Sequence, residues 1–329
     1  MEKIKRFFIL KSQYNNINAQ TFREDLAFYK IGPDDRIKIE AIREIMLFEA
    51  KNDPKSFALE DVERLESNDI YIFRFLRQHD GHLEASLKTL RKSLRWRKEN
   101  RINQMSINAV SIPREIADIR AFHVYVRDKN GTPTIYTRAI PMPPKKFRPL
   151  VVETAIYFAE RVSVKVSQYG RRFGFINDCR DFVFDTSMVD IELIKEMIKL
   201  RDIHYPDLYA YVAFYEFPVS LRWLFKLLSP IIPKKTRDKI IFIDKDSIDD
   251  IIGLDNVPEY MGGRCKEPYL LDTSAFPTLR DVGESRGYSK SDIDEVYKLY
   301  ATELKKHEDE LAKAGKKLIK LEDLENYFD

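Results

Sequence analysis

The sequence predicts an α/β protein with an all-α N-terminal lobe, then a mixed, largely parallel sheet flanked by helices, and a long C-terminal helix. Helical periodicity fills most of the first hundred residues, whereas strand and helix patterns alternate from Ala121 to Ile243. Strands that alternate with helices are typical of parallel sheets with right-handed crossovers. A seven-residue hydrophobic repeat near the C-terminus predicts the last helix.

The composition favours a soluble globular protein. The 329 residues permit two domains, and 44% are hydrophobic while 33% are charged. Because 56 Lys and Arg oppose 53 Asp and Glu, for a formal net charge of +3, nothing points to nucleic acid as a partner. Cys179 and Cys265 do not make a disulfide framework, and no apolar run is long enough to span a bilayer. We therefore expect a cytoplasmic protein.

Four helices are predicted in the N-terminal lobe. They cover Arg36 to Lys51, Asp61 to Glu66, Ile70 to Gln78 and Leu83 to Asn100. In the first of them, the apolar residues that follow the 3.6-residue period are Ile37, Ala41, Ile45 and Phe48. Asp69 can cap the third helix. The fourth carries a basic stripe, which we interpret as a solvated face, with a platform for anionic lipid headgroups as the alternative.

The second half of the chain alternates between strands and helices. A hairpin centred on Asp128 to Gly131 is followed by a helix from Phe147 to Tyr169. The remaining predicted elements up to the apolar helix are a strand from Phe173 to Asp178, a helix from Val189 to His204 and a strand from Tyr209 to Phe217. Residues 264–287 are expected to form an extended tail.

The helix predicted from Pro218 to Leu228 is apolar on nearly every side. Arg222 and Lys226 lie four residues apart and share one narrow stripe, and apolar side chains cover the rest of the circumference. Such a helix needs apolar surroundings on nearly every side. A protein core is the commoner source of such surroundings, and a hydrophobic ligand beneath the helix or a bilayer above it are the alternatives.

The last helix offers two interpretations. Ser289 or Ser291 can cap it, and its repeat of seven consists of Tyr297, Leu304, Leu311 and Leu318. A coiled coil with a protein partner is possible, but about three heptads are few. We favour a helix that folds back on its own domain.

Catalytic and metal-binding patterns are not found in the sequence. It has no phosphate-binding glycine loop and no nucleophile elbow. The five histidines are scattered, without cysteines or carboxylates at metal spacing. We therefore expect neither an enzyme nor a cofactor or metal site, and the sequence favours binding.

Several motifs in register resemble the CRAL-TRIO family of lipid-binding proteins, whose best-studied members are fungal phosphatidylinositol-transfer proteins. The resemblance runs over residues 61–269. Its motifs are RFLR at residues 74–77, WRK at 96–98, HYPDLYAYVAFYEFP at 204–218, PKKTRDKIIFI at 233–243 and NVPEYMGG at 256–263. It implies an N-terminal extension over 1–60, a helical lobe over 61–105, a lipid-binding domain over 106–270, and a tail with an amphipathic helix over 271–329.

The resemblance implies an apolar cavity closed by a mobile gate helix. The expected function is intracellular binding and transfer of a phospholipid or another hydrophobic molecule, exchanged during transient contact with membrane surfaces. The residues implied to line the cavity or the gate are Leu221, Trp223, Leu224, Phe225, Leu228, Phe173 and Phe175. The alternative is a membrane-recruitment or scaffold module whose cavity is filled by its own side chains.

A headgroup site is also implied by the resemblance. Thr236 and Lys239 match the family's phosphoinositol-binding Thr and Lys. Asp207 stands where the family has a Glu, and His79 stands where it has an Arg. Phe173 and Phe175 replace the small hydroxyl residues of the family's phosphatidylcholine site, which argues against that ligand.

Overall fold

The computed structural model describes residues 28–107, 112–120, 123–180, 190–219, 222–267, 270–314 and 318–320. The helices of the N-terminal lobe are α1 Pro33–Asn52, α2 Leu59–Ser67, α3 Asp69–Gln78, α4 Leu83–Glu99, α5 Ile102–Ile107 and α6 Arg114–Arg120. The strands are β1 His123–Arg127, β2 Pro133–Arg138, β3 Phe173–Asp178, β4 Tyr209–Tyr215 and β5 Ile240–Ile243. The later helices are α7 Arg148–Tyr169, α8 Ile191–His204, α9 Arg222–Leu228, α10 Lys234–Arg237, α11 Ile248–Ile251, α12 Leu279–Ser285 and α13 Lys290–Ala314.

The five strands form one sheet in sequence order. β1 pairs with β2 in the antiparallel direction, and β2 to β5 are parallel to one another. The mixed, largely parallel sheet that the alternating pattern predicts is therefore confirmed. Parallel strands need crossover connections, which α7, α8 and the segment with α9 and α10 supply.

The two faces of the sheet are covered by different parts of the chain. On one face, the helices α7, α8 and α9 pack against side chains of β3, β4 and β5. On the other face, residues of the segment 248–265 pack against Ile176, Ala213 and Ile241. The helix α9 lies in the segment predicted to form the gate, so the sheet face under α8 and α9 is the one on which a ligand is expected.

In the N-terminal lobe, α1 to α4 share one core. The core-facing stripe of α1 is Ile39, Ile42 and Met46, and these side chains are buried. The stripe that marks this helix in the sequence points to solvent instead, since Ile37 is 70% exposed and Phe48 is 68% exposed. Two neighbouring stripes of α1 have the helical period, and packing against α3 and α4 decides which one is buried.

The cap of α3 is Asn68 and not Asp69. The Asn68 side chain accepts a hydrogen bond from the backbone N–H of Tyr71 at 2.8 Å. Asp69 is the first residue of the helix, and its carboxylate pairs with Arg43 of α1. Asn and Asp are both good capping residues, so the sequence did not distinguish these two neighbours.

The chain after the sheet folds back on the domain. The prediction of an extended tail over residues 264–287 is wrong in its last part, because α12 occupies Leu279–Ser285 with a capping box at Thr278. Ser289 caps α13, where its hydroxyl oxygen accepts from the N–H of Asp292 at 3.2 Å. Tyr300 of α13 is buried with Ile293 and Val296 against α6 and α12. The interpretation that the last helix folds back is therefore confirmed.

Candidate ligand-binding site

A polar cleft of about 580 Å³ lies where the N-terminal lobe meets the sheet. Its walls come from the segment before α1, the end of α3, the start of β4, and α10. Basic and acidic side chains line it in nearly equal number: Lys30, Lys38, Arg77, Arg201, Lys235 and Lys239, with Asp35, Asp80, Asp202, Asp207 and Asp238. Three of the four residues expected at the headgroup site, Asp207, Thr236 and Lys239, are in this cleft.

Asp207 is the centre of the charged network. Its carboxylate accepts from Lys239 Nζ at 2.7 Å, from Arg172 Nη2 at 3.0 Å and from Arg77 Nε at 3.0 Å. Its backbone carbonyl accepts from the hydroxyl of Tyr29. The residue has a positive φ of 55°, a conformation that Asp tolerates better than most residues.

The charges of this network shift the pKa values of its members. Burial alone would raise the pKa of Asp207, but Lys239, Arg172 and Arg77 lower it to about 2. Burial also lowers the pKa of Lys239, and the two arginines add to that effect against the opposing pull of Asp207. Three cations thus surround one carboxylate, which leaves a local excess of positive charge.

Thr236 lines the cleft from α10. Its hydroxyl donates to Asp202 Oδ1 at 3.0 Å, and α10 holds it one turn before Lys239. Burial raises the pKa of Asp202, while Arg201 and the bond from Thr236 lower it. Both candidate phosphate donors are therefore paired with carboxylates in this structure, and a headgroup would have to exchange with those partners.

His79 does not join the other three residues. It lies directly after α3, and its Nε2 is 2.7 Å from the hydroxyl oxygen of Thr89 on α4. Partial burial and the nearby Lys235 lower the pKa of its imidazole, which favours the neutral form. It cannot supply the charge of the arginine that the family has at this position.

Arg172 and Arg77 are members of the network that the sequence analysis did not identify. Arg77 comes from α3, and the fully buried Arg172 precedes β3. They reach Asp207 from residues 130 and 35 positions away in the chain. No spacing in the sequence signals such a meeting, although a single buried carboxylate does require partners.

The apolar side of the candidate site is the sheet face under α8 and α9. The cluster there has a buried centre of Val212, Leu228, Ile232 and Ile240, and the aromatic residues packed around it are half-buried: Phe175, Tyr209, Phe214, Phe225 and Phe242. The opposite face of the same strands is closely covered, with Ile176, Ala213 and Ile241 buried. The aromatic rings on the α8–α9 side therefore keep more solvent contact than the residues on the opposite face.

The described part of the predicted gate helix, α9, runs from Arg222 to Leu228. Pro218 is not in a helical conformation, so the expectation that it is the first residue of this helix is wrong. Leu228 is buried, and Phe225 packs on the ring of Phe242 with centroids 5.1 Å apart. Trp223 is 46% exposed and Leu227 is 51% exposed on the outer side.

The other residues expected at the cavity or gate have separate places. Phe173 is 1% exposed and belongs to the core under α7. Phe175 lies between that core and the cluster under α9, with its ring centroid 5.2 Å from that of Tyr209. Leu221 lies outside the described residues, and for Leu224 only the helical backbone is described.

The described residues contain neither a metal cluster nor a membrane-spanning helix. No group of three His, Cys, Asp or Glu side chains in that part of the chain could hold a metal ion. No helix there is both long and apolar enough to cross a bilayer.

Comparison with known proteins identifies the central domain. Residues 120–263 match the family model of the CRAL/TRIO domain. The match covers 144 of the 329 residues, and it confirms the resemblance to this family that the sequence motifs indicate. The crystal structure of Sfh5 shares the fold, with a TM-score of 0.52 and 14% identity over 67% of this chain and 83% of that one.

Curated relatives extend the similarity beyond the CRAL/TRIO domain. Protein real-time of Anopheles gambiae is 23% identical over an alignment 246 residues long, and the match covers 68% of this chain and 35% of that protein. Protein real-time of Drosophila melanogaster is 23% identical over 232 residues, covering 63% of this chain and 34% of its own length. The chain thus spans about a third of the length of these relatives.

Proposed function

We propose that this protein binds a lipid beneath α9 and transfers it between membranes. The observation that carries the proposal is the contrast between the two sheet faces: aromatic rings under α8 and α9 keep solvent contact, while the opposite face is buried. A lipid tail in that space would remove these rings from water. Each buried CH₂ contributes roughly 0.8 kcal/mol relative to water, so one acyl chain supplies a large driving force.

In this proposal α9 is the gate and its outer side meets the bilayer. Trp223 and Leu227 are about half exposed. Val219, which precedes the helix in the chain, and Ile231, which follows it, are exposed apolar residues as well. Trp is favoured at membrane interfaces because its ring is large and amphipathic. A helix with apolar residues on both sides can cover a lipid when it is closed and contact acyl chains when it is open.

The polar cleft is the proposed headgroup site, and its chemistry favours a phosphorylated headgroup. Lys239 and Thr236 are the proposed phosphate donors, and Arg77 and Arg172 add positive charge beside Asp207. Charge-assisted hydrogen bonds to phosphate are stronger than neutral ones. Lipid extraction exchanges one apolar surrounding for another, so headgroup contacts would determine which lipid is selected.

Lys239→Ala tests the headgroup role in a transfer assay between vesicles with labelled phosphatidylinositol and labelled phosphatidylcholine. Loss of one charged donor should slow transfer of phosphatidylinositol about tenfold and leave phosphatidylcholine transfer unchanged. The fold should survive because Arg77 and Arg172 still compensate Asp207. Lys245→Ala, at the exposed far end of β5, is the matched control.

Two outcomes would reject parts of the proposal. An equal loss for both lipids would argue against a headgroup contact at Lys239. Binding to vesicles without transfer of either lipid would favour a membrane-recruitment module whose interior is filled by Phe173, Phe175 and their neighbours.

A further inference from the structure

Lys235 ties the N-terminal lobe to the short helix that follows α9. Its ammonium donates to the carbonyl of Arg77 at 2.6 Å and to that of Gln78 at 3.1 Å. It also pairs with Asp80 Oδ1 at 2.6 Å. An ammonium has three N–H donors, so all three are used on one small patch of the N-terminal lobe.

The acceptors on that patch suit a cation. Arg77 and Gln78 are the last residues of α3, where carbonyls lack the donor that a continuing helix would supply, although the N–H of Asp80 donates to the Arg77 carbonyl at 3.3 Å. The negative end of the helix dipole also favours positive charge there. The turn that presents Asp80 has a positive φ of 54°, and the bond from Lys235 lowers the pKa of its carboxyl.

The helix α10, which carries Lys235, is also bonded to the end of α9, the proposed gate. Arg237 of α10 donates to the carbonyl of Ser229 at 3.0 Å, just after the end of α9. The N–H of Ser229 in turn bonds to the carbonyl of Phe225 at 2.8 Å. Pro230 and Pro233 restrict the backbone between the two helices. We therefore expect α9 and α10 to move as one unit.

We propose that Lys235 is a latch that holds α9 closed against the N-terminal lobe and thereby sets the rate of lipid exchange. The role of this latch in lipid exchange rests on the proposed function. The contact that holds α9 and α10 against the N-terminal lobe does not depend on which lipid is bound. The N-terminal lobe is then half of the gate, because α9 cannot swing away with α10 until the three bonds of Lys235 break.

The latch makes a prediction that differs from a headgroup contact. Lys235 also lines the polar cleft. A headgroup contact would affect a phosphorylated inositol lipid more than phosphatidylcholine, whereas a latch acts on every lipid alike. Lys235 is 39% exposed and Asp80 is 73% exposed, so solvent screens the bonds. We expect lipid release to accelerate roughly five- to tenfold when they are lost.

Lys235→Met in the full chain is the decisive variant, because methionine keeps the length of the side chain and removes the donors. Lys234→Met is the matched control, since Lys234 is 80% exposed and, among the described residues, forms a salt bridge with Asp238 directly after its own helix. Lys235→Arg should restore most of the slow release, because a guanidinium can still donate to the carbonyls and pair with Asp80. The readouts are release of labelled phosphatidylinositol and of labelled phosphatidylcholine to acceptor vesicles, and hydrogen exchange of the amides of α9.

The inference holds if Lys235→Met accelerates release of both lipids and hydrogen exchange in α9, while Lys234→Met changes neither. It is overturned if the parent protein releases both lipids and only phosphatidylinositol responds, or if Lys235→Met and Lys234→Met both behave like the parent protein. If the parent protein releases phosphatidylinositol alone, hydrogen exchange in α9 decides: unchanged exchange in Lys235→Met overturns the inference. If the protein carries neither lipid, the proposed function fails, and hydrogen exchange in α9 alone then decides whether Lys235 holds the helix.

Discussion

At the residue scale, Asp207 connects three parts of the chain through one carboxylate. Arg77 comes from the N-terminal lobe, Arg172 from the start of β3 and Lys239 from the start of β5. Breaking a buried ion pair on one side leaves uncompensated charge and costs roughly 3–5 kcal/mol. Here removal of the carboxylate would leave three cations facing one another.

Asp207 should contribute to the pH dependence of the free energy of unfolding. Its pKa is about 2 in the folded protein against a usual 3.8, so its stabilising contribution is complete above about pH 4 and is lost as the pH falls toward 2. The difference corresponds to about 2 kcal/mol. Asp207→Asn should lower the free energy of unfolding at pH 7 and remove this part of the acid dependence. Urea unfolding of both proteins from pH 5 to pH 2 measures it, and equal slopes would contradict the network.

The sequence identified this site only in part. Asp207, Thr236 and Lys239 were found because they stand in motifs that resemble a known family. Arg77 and Arg172 were missed because tertiary contacts bring them to Asp207. His79 was expected in the site from its position in the motif, but the end of α3 directs it to Thr89 instead.

At the element scale, α9 is the helix whose two sides face different surroundings. Phe225 and Leu228 pack inward, and Trp223 and Leu227 face outward. The sequence predicted a helix that is apolar all round, which could not distinguish a buried helix from a surface one. Exposure of Trp223 answers that question, because a core helix would have buried it.

Trp223→Asp should slow lipid transfer while the fold is retained. A charge on the outer side of α9 opposes insertion into acyl chains, and we expect transfer to fall about tenfold because a charge in hydrocarbon costs a few kcal/mol. Val164→Asp is the matched control, since Val164 is 48% exposed on α7. Phe225→Asp is not suitable, because Phe225 packs on Phe242 and its loss would disturb the interior. Equal transfer by the Trp223 and Val164 variants would reject the membrane role of α9.

Other elements show where periodicity stops being informative. The pattern predicted α1 but marked its solvent-facing stripe, because two adjacent stripes have the same period. α12 was missed because a helix of seven residues gives too short a pattern, although Thr278 and Asp281 form its capping box.

At the scale of the whole molecule, the alternation of strands and helices in the sheet domain was predictable from hydrophobic patterns, although the short helices α5, α6 and α12 were not. The sheet follows sequence order from β1 to β5, so each strand pairs with its neighbour in the chain. The patterns could not predict which distant segments contact each other. These contacts join the N-terminal lobe to α10 and α13 to α6. Both contacts are made by side chains that are far apart in the sequence and come together only in the folded protein.

The packing of these segments places two different surfaces next to each other, one for each part of the proposed ligand. The polar cleft lies between the N-terminal lobe and the sheet, while the partly covered aromatic face lies between the sheet and α9. A lipid with a charged headgroup and apolar tails matches these two neighbouring surfaces. The central claim is therefore that the space under α9 holds a lipid.

Native mass spectrometry of the freshly purified full chain tests that claim most directly. The account predicts a complex of one protein with one phospholipid, which should lose intensity when a bulky residue fills the space, as in Val212→Trp. A mass that corresponds to the protein alone, both before and after incubation with phosphatidylinositol vesicles, would contradict it.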